Sequence, residues 1–470
     1  MKKILKWSAI VLLAASAIAG VVVWPYIDHF LRFNPMVEEA DFPPPSGPLE
    51  AQQQDFTYLA KVLDYDRSFP ASARAEFLSD IEALQSRTQP LTDAEFFLEV
   101  HRLMALADNG HTGGDPVQMF RNFNRSGIDI YPFADGYFVV RAHKSRADLV
   151  GHKVIAIEGA SLSEQLVQLR RYSGGPDHAR DYASLHLIRS PELMHAAGLA
   201  PSPDRLTVTL EDEDGTRSDH ILTALPDVAE TEFAYRHPYH ALRAEPLPEE
   251  EGDWVNTLQA NGTEPPLTLS EDGTLVLAQP IADGVYIRSN YLVEYPEHPV
   301  KSQLVEALDG APDSGFAKLV VDLRWNPGGN LGNAIPFARA LGERLANNGK
   351  VYVLTGPTTF SAAIVMLAQI KKYAGDRTVT VGEPVGDRMQ FWAERGSAFV
   401  LPNSQQYLRY STGYHDWEKG CTDEENPYCY PASRDEAADI GTLGLDHRIQ
   451  PTFAEYASGR DVVLEWVLAQ

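Results

Sequence analysis

Apolar and polar residues recur along this chain with two different periodicities, and the change of periodicity divides the chain into regions. Residues 49–109 follow the helical period, and the clearest stretch is the one that begins at Thr92-Asp93-Ala94-Glu95. Thr92 and Glu95 have the spacing of a capping box, so a helix is predicted to start there and to stop at Gly110. His111 is therefore expected just beyond a helix end.

From residue 284 onward, apolar runs of strand length alternate with helical stretches. The predicted strands are 284–287, 318–323, 351–354 and 378–381, and the predicted helices are 300–308, 334–346 and 361–372. This alternation indicates βαβ units whose strands are buried on both faces of one sheet. Residues 126–217 instead read as short strands and turns around a helix.

The N-terminus has the layout of an export signal. Lys2, Lys3 and Lys6 precede an apolar run over residues 8–24, and Ala17-Ile18-Ala19 offers a cleavage site. The run is also long enough to serve as an uncleaved membrane anchor, and both alternatives stay open. Either one places the body of the protein outside the cytoplasm, in the periplasm or anchored to the inner membrane facing it.

Net charge and cysteine content narrow further the classes of partner and cofactor that the protein could use. The formal net charge is −25, which disfavours a nucleic-acid partner because phosphate backbones would be repelled. Cys421 and Cys429 lie close together in an exported chain, so we expect a local disulfide, with two free thiols as the alternative. The sequence contains no metal-ligand cluster, phosphate loop or dinucleotide fingerprint, and neither a cofactor nor a metal is predicted.

Candidate chemistry lies in the loops that follow two consecutive buried strands, at residues 324–330 and 355–363. Ser361 stands where the second loop becomes a helix, so the positive helix end would favour a developing negative charge. The backbone N–H groups of Ala362 and of Gly328 or Gly329 could then hold an oxyanion. The alternative is purely structural, since Thr359 or Ser361 could simply cap the helix.

The same loops carry a family resemblance. Asp322-Leu323-Arg324-Trp325-Asn326-Pro327-Gly328-Gly329 resembles a segment of the tail-specific (carboxy-terminal processing) serine peptidases, and residues 359–363 resemble their nucleophile segment. Residues 381–383 and 444–451 resemble two further segments, in the family's order and spacing. Residues 151–159 are similar to part of the PDZ-like domain that often precedes the peptidase core.

The resemblance implies an α+β multidomain protein with a crotonase-like (ClpP/crotonase type) α/β core. The expected regions are a signal peptide or membrane anchor (1–33), a proline-rich linker (34–48), a helical region (49–115), a PDZ-like domain (126–222) and the catalytic core (280–470).

Many members of this family use a lysine shortly after the strand that corresponds to residues 381–383, but residues 382–388 contain none. Lys371 and Lys372 lie about 15 Å or more along the helix that Ser361 begins, and Arg388 stays protonated, so a histidine base is expected instead.

Residues 108–112 resemble the histidine segment of the tricorn-like branch, which implies His111 as the base. His415 is the rival base, and the resemblance points to Glu418 or Asp416 as the carboxylate that orients the histidine.

Together these observations predict an exported serine-type peptidase that cuts peptides or unfolded proteins through an acyl-enzyme on Ser361. The alternative is a non-catalytic ligand- or peptide-binding protein on the same fold. A lipase or esterase is disfavoured because the sequence lacks Gly-x-Ser-x-Gly. The sequence predicts neither the cleavage preference nor the oligomeric state.

Overall fold

The computed structural model describes residues 30–115, 122–225, 239–245, 252–270, 273–437 and 444–470, together with Ile27 and Ile440. The apolar run and the cleavage site predicted near the N-terminus lie outside these residues. Among the residues that are described, no helix has both the length and the apolar character needed to cross a membrane.

Helices dominate the first part of the chain. They are α1 (Pro48–Leu59), α2 (Val62–Tyr65), α3 (Ala71–Gln85) and α4 (Asp93–Ala105). The capping box predicted at the start of α4 is present, because Thr92 accepts from the Glu95 N–H and the Glu95 carboxylate accepts from the Thr92 N–H. These helices share a core with Phe399, Leu408 and Tyr410 from far along the chain, so the region packs against the C-terminal part.

An antiparallel sheet with helices on it forms the middle of the protein. Its elements and those beside it are β1 (Gly113–Gly114), β2 (Ile128–Phe133), β3 (Gly136–His143), β4 (Lys153–Ile157), β5 (Ala160–Ser161), α5 (Leu162–Leu169), α6 (Asp177–Ile188), α7 (Pro191–Ala196), β6 (Arg205–Glu211), β7 (Arg217–Thr223), α8 (Tyr239–Leu242), β8 (Trp254–Asn256) and α9 (Thr257–Asn261). The strand order is β2-β3-β4-β6-β7, with β5 paired to β4 and β8 to β3. This arrangement is consistent with a PDZ-like domain.

The C-terminal part contains the predicted α/β alternation. Its elements are β9 (Val276–Ile281), β10 (Gly284–Ser289), α10 (Val300–Glu306), β11 (Phe316–Asp322), α11 (Leu331–Arg344), β12 (Leu345–Thr355), α12 (Ala362–Ala374), β13 (Thr378–Gly382), β14 (Gln390–Ala393), β15 (Phe399–Val400), β16 (Tyr407–Arg409), β17 (Gly413–Asp416), α13 (Pro431–Glu436), β18 (His447–Arg448), α14 (Phe453–Ala457) and α15 (Val462–Leu468).

Six of these strands form one sheet in the order β18-β13-β12-β11-β10-β9, parallel except for β9 at the edge. Helices α10, α11 and α12 cover one face, and α15 packs on the other. Burial on both faces explains why the strands are almost continuously apolar, and the sheet confirms the predicted α/β core.

Two small sheets connect the early helices to the end of the chain. Strand β1 pairs with β16, which places Gly113 opposite Arg409, and β14 pairs with β17. The predicted disulfide between Cys421 and Cys429 is present and closes the loop after β17. The predicted proline-rich linker is extended, and it contacts the body where the Ser397 N–H donates to the Pro35 carbonyl.

Candidate active site

Ser361 occupies the turn between β12 and α12 in a backbone conformation that side-chain-bearing residues rarely adopt. Its φ is 54° and its ψ is −122°, and its hydroxyl makes no capping hydrogen bond to the helix. Thr359 instead provides the side-chain hydrogen bonds of this turn, because its hydroxyl donates to the Leu323 carbonyl at 2.8 Å and accepts from the Gly356 N–H. Such a conformation costs about 1–3 kcal/mol and is concentrated at functional sites. The structural alternative, a serine that caps the helix, is therefore not what the structure shows.

Glycine at position 328 lets the two site loops touch. A Cβ atom added there would lie 2.7 Å from the Ser361 Cβ and 2.9 Å from the Ala362 nitrogen. The loops are joined by a hydrogen bond from the Phe360 N–H to the Asn326 carbonyl, at 3.0 Å. Any side chain at position 328 would therefore push the nucleophile loop away.

The backbone N–H groups near Ser361 differ in their hydrogen-bond partners. The Gly328 N–H donates to the Asn326 side-chain oxygen at 2.9 Å, within its own loop. The N–H groups of Ala362 and Gly329 make no hydrogen bond to any residue that the structure describes. Ala362 is the first residue of α12, where N–H groups have no partner within the helix. The Ala362 amide, next to the nucleophile, is thus available to an oxyanion.

A cleft of about 1160 Å³ lies beside these loops. Gly110, Pro327 and Phe360 line it together with Tyr182 and His101. The pKa of His101 is lowered to about 3, first by burial and then by the positive charge of Arg409. That imidazole is therefore neutral at physiological pH.

His111 is brought to the loop that carries Ser361 by the residues on either side of it. On one side, the Asn109 side chain donates to the Trp392 carbonyl at 3.0 Å and accepts from the Trp392 N–H at 3.1 Å. On the other side, β1 follows at once and is paired to β16. The loop between α4 and β1 is thereby fixed against the C-terminal part of the chain, as the resemblance implied.

The imidazole of His111 is sandwiched between two aromatic rings. It stacks on Phe360, the residue before Ser361, with ring centroids 4.2 Å apart, and on Phe391 at 4.9 Å. Its side chain is 14% exposed, and neither ring nitrogen forms a hydrogen bond with a described residue, Ser361 included. His111 thus contacts the residue before Ser361 but makes no hydrogen bond to the serine; in many uncomplexed active sites that bond forms only when substrate is bound.

Asp387 provides the carboxylate closest to His111 among the described residues. Its Oδ2 lies 3.4 Å from the His111 Nδ1, and its side chain is only 1% exposed. Its Oδ1 accepts a hydrogen bond from the Arg388 N–H at 2.8 Å. Asp387 lies within the segment in which the sequence analysis looked for a lysine.

Of the other side chains singled out from the sequence, His415 lies on the far side of Phe391, and the Asp416 Oδ1 accepts hydrogen bonds from the Glu418 and Lys419 N–H groups. Glu418 accepts a hydrogen bond from the Gln390 side chain at 2.6 Å. His415 stacks on Phe391 at 4.9 Å and places its Nε2 3.4 Å from the Glu394 Oε1. Burial is the main cause that lowers the pKa of His415, and the hydrogen bond to Glu394 opposes it. The ring of Phe391 separates His415 from His111, so the structure brings His111 and not His415 to the nucleophile loop.

A second ionisable group lies behind the nucleophile turn. Glu383 follows β13 and lines a cavity of about 650 Å³ on the other side of Pro357. Burial raises the pKa of Glu383 to about 7, and the charges of Arg448 and Arg324 partly offset this. The carboxyl group is thus close to half-protonated at neutral pH.

Comparison with solved structures identifies the architecture. Mature CPAF aligns with a TM-score of 0.54 and 14% sequence identity over 89% of this chain and 96% of that one. Mature CPAF complexed with lactacystin aligns with a TM-score of 0.53 and 13% identity over 89% and 97%. This chain has the fold of CPAF.

The remaining comparisons add little to this result. The photosystem II D1 C-terminal processing protease aligns with a TM-score of 0.38 and 14% identity over 88% of this chain and 98% of that one. No protein-family model matches the chain, and no curated protein sequence is significantly similar to it. The assignment to the fold therefore depends on three-dimensional structure.

Sequence reasoning missed the surroundings of His111. Phe360 and Phe391 could not be recognised as the residues that cover its two faces, because Phe360 precedes Ser361 and Phe391 lies within a strand 280 residues after the histidine. Asp387 was overlooked although a signal existed, since an ionisable residue stands in the segment where the family has its lysine. A carboxylate in that segment would suit a histidine base.

Proposed function

We propose that the protein is a serine peptidase of the tail-specific type with Ser361 as its nucleophile. The observation that carries this proposal is the conformation of Ser361: a positive φ at the start of α12, a hydroxyl that does not cap the helix, and the uncommitted Ala362 amide beside it. A serine kept only for helix capping would have no reason to adopt this conformation. The fold shared with mature CPAF supports the proposal.

In the proposed reaction the His111 imidazole takes the proton of the Ser361 hydroxyl while the oxygen attacks a peptide carbonyl. The Ala362 N–H and an amide of the Gly328-Gly329 turn donate to the resulting oxyanion. The peptide C–N bond then breaks, and the imidazolium returns its proton to the leaving amine. A water molecule, deprotonated by the same imidazole, hydrolyses the acyl-enzyme and regenerates Ser361.

We further propose that the peptidase acts outside the cytoplasm on peptides or unfolded proteins, and that it reaches the membrane only through an uncleaved N-terminal segment. The lysine-led apolar run at residues 2–24 supports export. The Cys421–Cys429 disulfide supports it independently, because such bonds persist mainly in oxidising compartments.

A fluorophosphonate probe tests the nucleophile directly on the purified full-length chain. We expect the probe to label the wild-type protein and a Ser361→Ala variant to lose the label completely. Ser302→Ala is the matched control, because Ser302 is exposed on α10 and should not affect labelling.

Three results would contradict the proposal. Labelling that survives Ser361→Ala would reject this nucleophile. A folded wild-type protein that neither reacts with the probe nor cleaves unfolded casein would instead favour the non-catalytic binding protein. Turnover of ester substrates without any cleavage of peptide substrates would favour an esterase.

A further inference from the structure

We propose that Asp387 is the positioning residue for His111: it orients the ring and stabilises the imidazolium, the role for which the resemblance pointed to Glu418 or Asp416. This inference rests on the proposed function, since it names the group that acts through the base of that reaction. Four observations carry it: the burial of Asp387, its unpaired oxygen, the way the histidine ring is held, and the glycine that makes room for the carboxylate.

Burial makes the Asp387 carboxylate costly unless it has a partner. The side chain is 1% exposed, yet its Oδ2 makes no hydrogen bond with any residue that the structure describes. An unpaired buried carboxylate is strongly unfavourable, so a nearby group that donates to it, above all a cationic one, is stabilised. The His111 Nδ1, at 3.4 Å, is also buried and unpaired.

The guanidinium of Arg388, the basic residue that follows Asp387 in sequence, binds Asp108 and not Asp387. It donates to the Asp108 carboxylate at 2.9 Å and to the Asp108 carbonyl at 2.8 Å. Only the backbone N–H of Arg388 reaches Asp387. The positive charge that Asp387 can stabilise is thus one that arises on His111 during the reaction.

The stacking of His111 leaves its ring little freedom except within its own plane. Phe360 and Phe391 cover the two faces at interplanar angles of 24° and 15°, so the nitrogens on the ring edge point sideways. A separation of 3.4 Å exceeds the usual 2.7–3.2 Å of an N–H···O bond by a few tenths of an ångström. A small in-plane movement would form the bond from Nδ1–H, which leaves Nε2 without a proton and able to accept that of Ser361.

Gly110 makes space for this carboxylate. A Cβ atom at position 110 would lie 2.7 Å from the Asp387 Oδ2 and 3.0 Å from the Phe360 ring. The residue before His111 thus leaves open the position that the carboxylate oxygen occupies. Glu418, by comparison, accepts a hydrogen bond from the Gln390 side chain and forms no ion pair with His111 among the described residues.

The test compares Asp387→Asn with Glu418→Gln, each of which removes a charge and keeps the shape. We expect Asp387→Asn to lower kcat for a peptide substrate, and the rate of fluorophosphonate labelling, by on the order of a hundredfold or more with KM nearly unchanged. Glu418→Gln should change either rate by less than about threefold. A general loss of structure would not produce this split, and the thermal midpoint of each variant checks folding.

A second readout does not depend on turnover. Nitrogen spectra of histidine-labelled protein, with the His111 signals identified by their loss in His111→Ala, report which ring nitrogen carries the proton. We expect Asp387→Asn to lower the share of the tautomer protonated on Nδ1, and Glu418→Gln to leave it unchanged.

The inference is overturned if Asp387→Asn retains labelling within threefold of wild type, if Glu418→Gln loses as much as Asp387→Asn, or if the tautomer does not respond to Asp387→Asn. Failure of the proposed function is distinguishable, because the wild-type protein itself would then not be labelled at Ser361.

Discussion

The two halves of the candidate site are built in different ways. The nucleophile half comes from a single short stretch, residues 322–363, in which two consecutive strands, β11 and β12, end side by side. The base half gathers His111, Asp387 and Phe391 from segments about 280 residues apart. One half is thus encoded by local sequence, whereas the other exists only after the chain has folded.

The hydrogen bonds reflect this difference. Thr359 and Phe360 are bonded to Leu323 and Asn326, so the nucleophile turn is held by the loop next to it. The His111 loop is instead held by the pairing of Asn109 with strand β14, across 283 positions of the chain. Damage to long-range packing should therefore affect the base before it affects the nucleophile.

The largest effect should come from removing the base itself. We expect His111→Ala to lower the peptidase rate by about a hundredfold or more, because general base catalysis typically contributes that much. His415→Ala, which removes the stacked histidine beyond Phe391, should cost far less. Steady-state kinetics on one peptide substrate measure both. If His415→Ala showed the larger loss, the assignment of the base would have to be reversed.

The same contrast explains what the sequence could and could not predict. The strands and helices of the core follow from apolar runs and their alternation, and the capping box at Thr92 fixes the start of α4. The disulfide was also predictable, because the chain has only two cysteines and they lie eight positions apart. Each of these features depends on residues close together in sequence.

The carboxylate beside His111 was not predictable in this way. The resemblance pointed to Glu418 or Asp416, whereas the structure places Asp387 beside His111. An acidic residue within residues 382–388 was a signal, but local sequence does not show which carboxylate reaches the histidine. The choice depends on which loop folds over the helix end at Gly110. That is a property of tertiary packing, and a pattern within one segment does not reveal it.

A methyl group at position 110 should disturb the base half alone. In Gly110→Ala the new Cβ would meet the Asp387 Oδ2 and the Phe360 ring, and we expect a peptidase rate about tenfold lower. Overpacking of this kind also costs about 1–3 kcal/mol of stability. Gly310→Ala is the matched control, because no atom lies within 4 Å of its added Cβ. Equal rates in the two variants would show that the space beside Gly110 is not critical.

Breaking the disulfide should reduce stability more than activity. The Cys421–Cys429 loop is attached to β17, where Tyr414 bonds to the Tyr428 carbonyl and the Tyr430 N–H. Replacing both cysteines by serine should cost about 2–3 kcal/mol in the chain-entropy model and lower the thermal midpoint. Because β17 supports β14 and its Phe391, the labelling rate should fall slightly, by less than about threefold. A loss as large as that of His111→Ala would contradict this distinction.

The last prediction concerns stability and not activity, and it separates the two halves of the site by their response to pH. Burial raises the pKa of Glu383, behind the nucleophile turn, to about 7 from an ordinary value of 4.5. The folded state therefore holds this proton more tightly than the unfolded state, so its contribution to stability is fully present below pH 4.5 and is lost as the pH rises through about 7. Wild type should lose about 3 kcal/mol more than Glu383→Gln across this window, since the pKa is raised from 4.5 to about 7 and each pKa unit is worth about 1.4 kcal/mol. Thermal midpoints of the two proteins from pH 4.5 to 7.5 measure the difference, and parallel curves would show that Glu383 is not perturbed. Because Glu383 lies on the nucleophile side, the same difference should persist in a His111→Ala background, which tests whether the two halves are energetically independent.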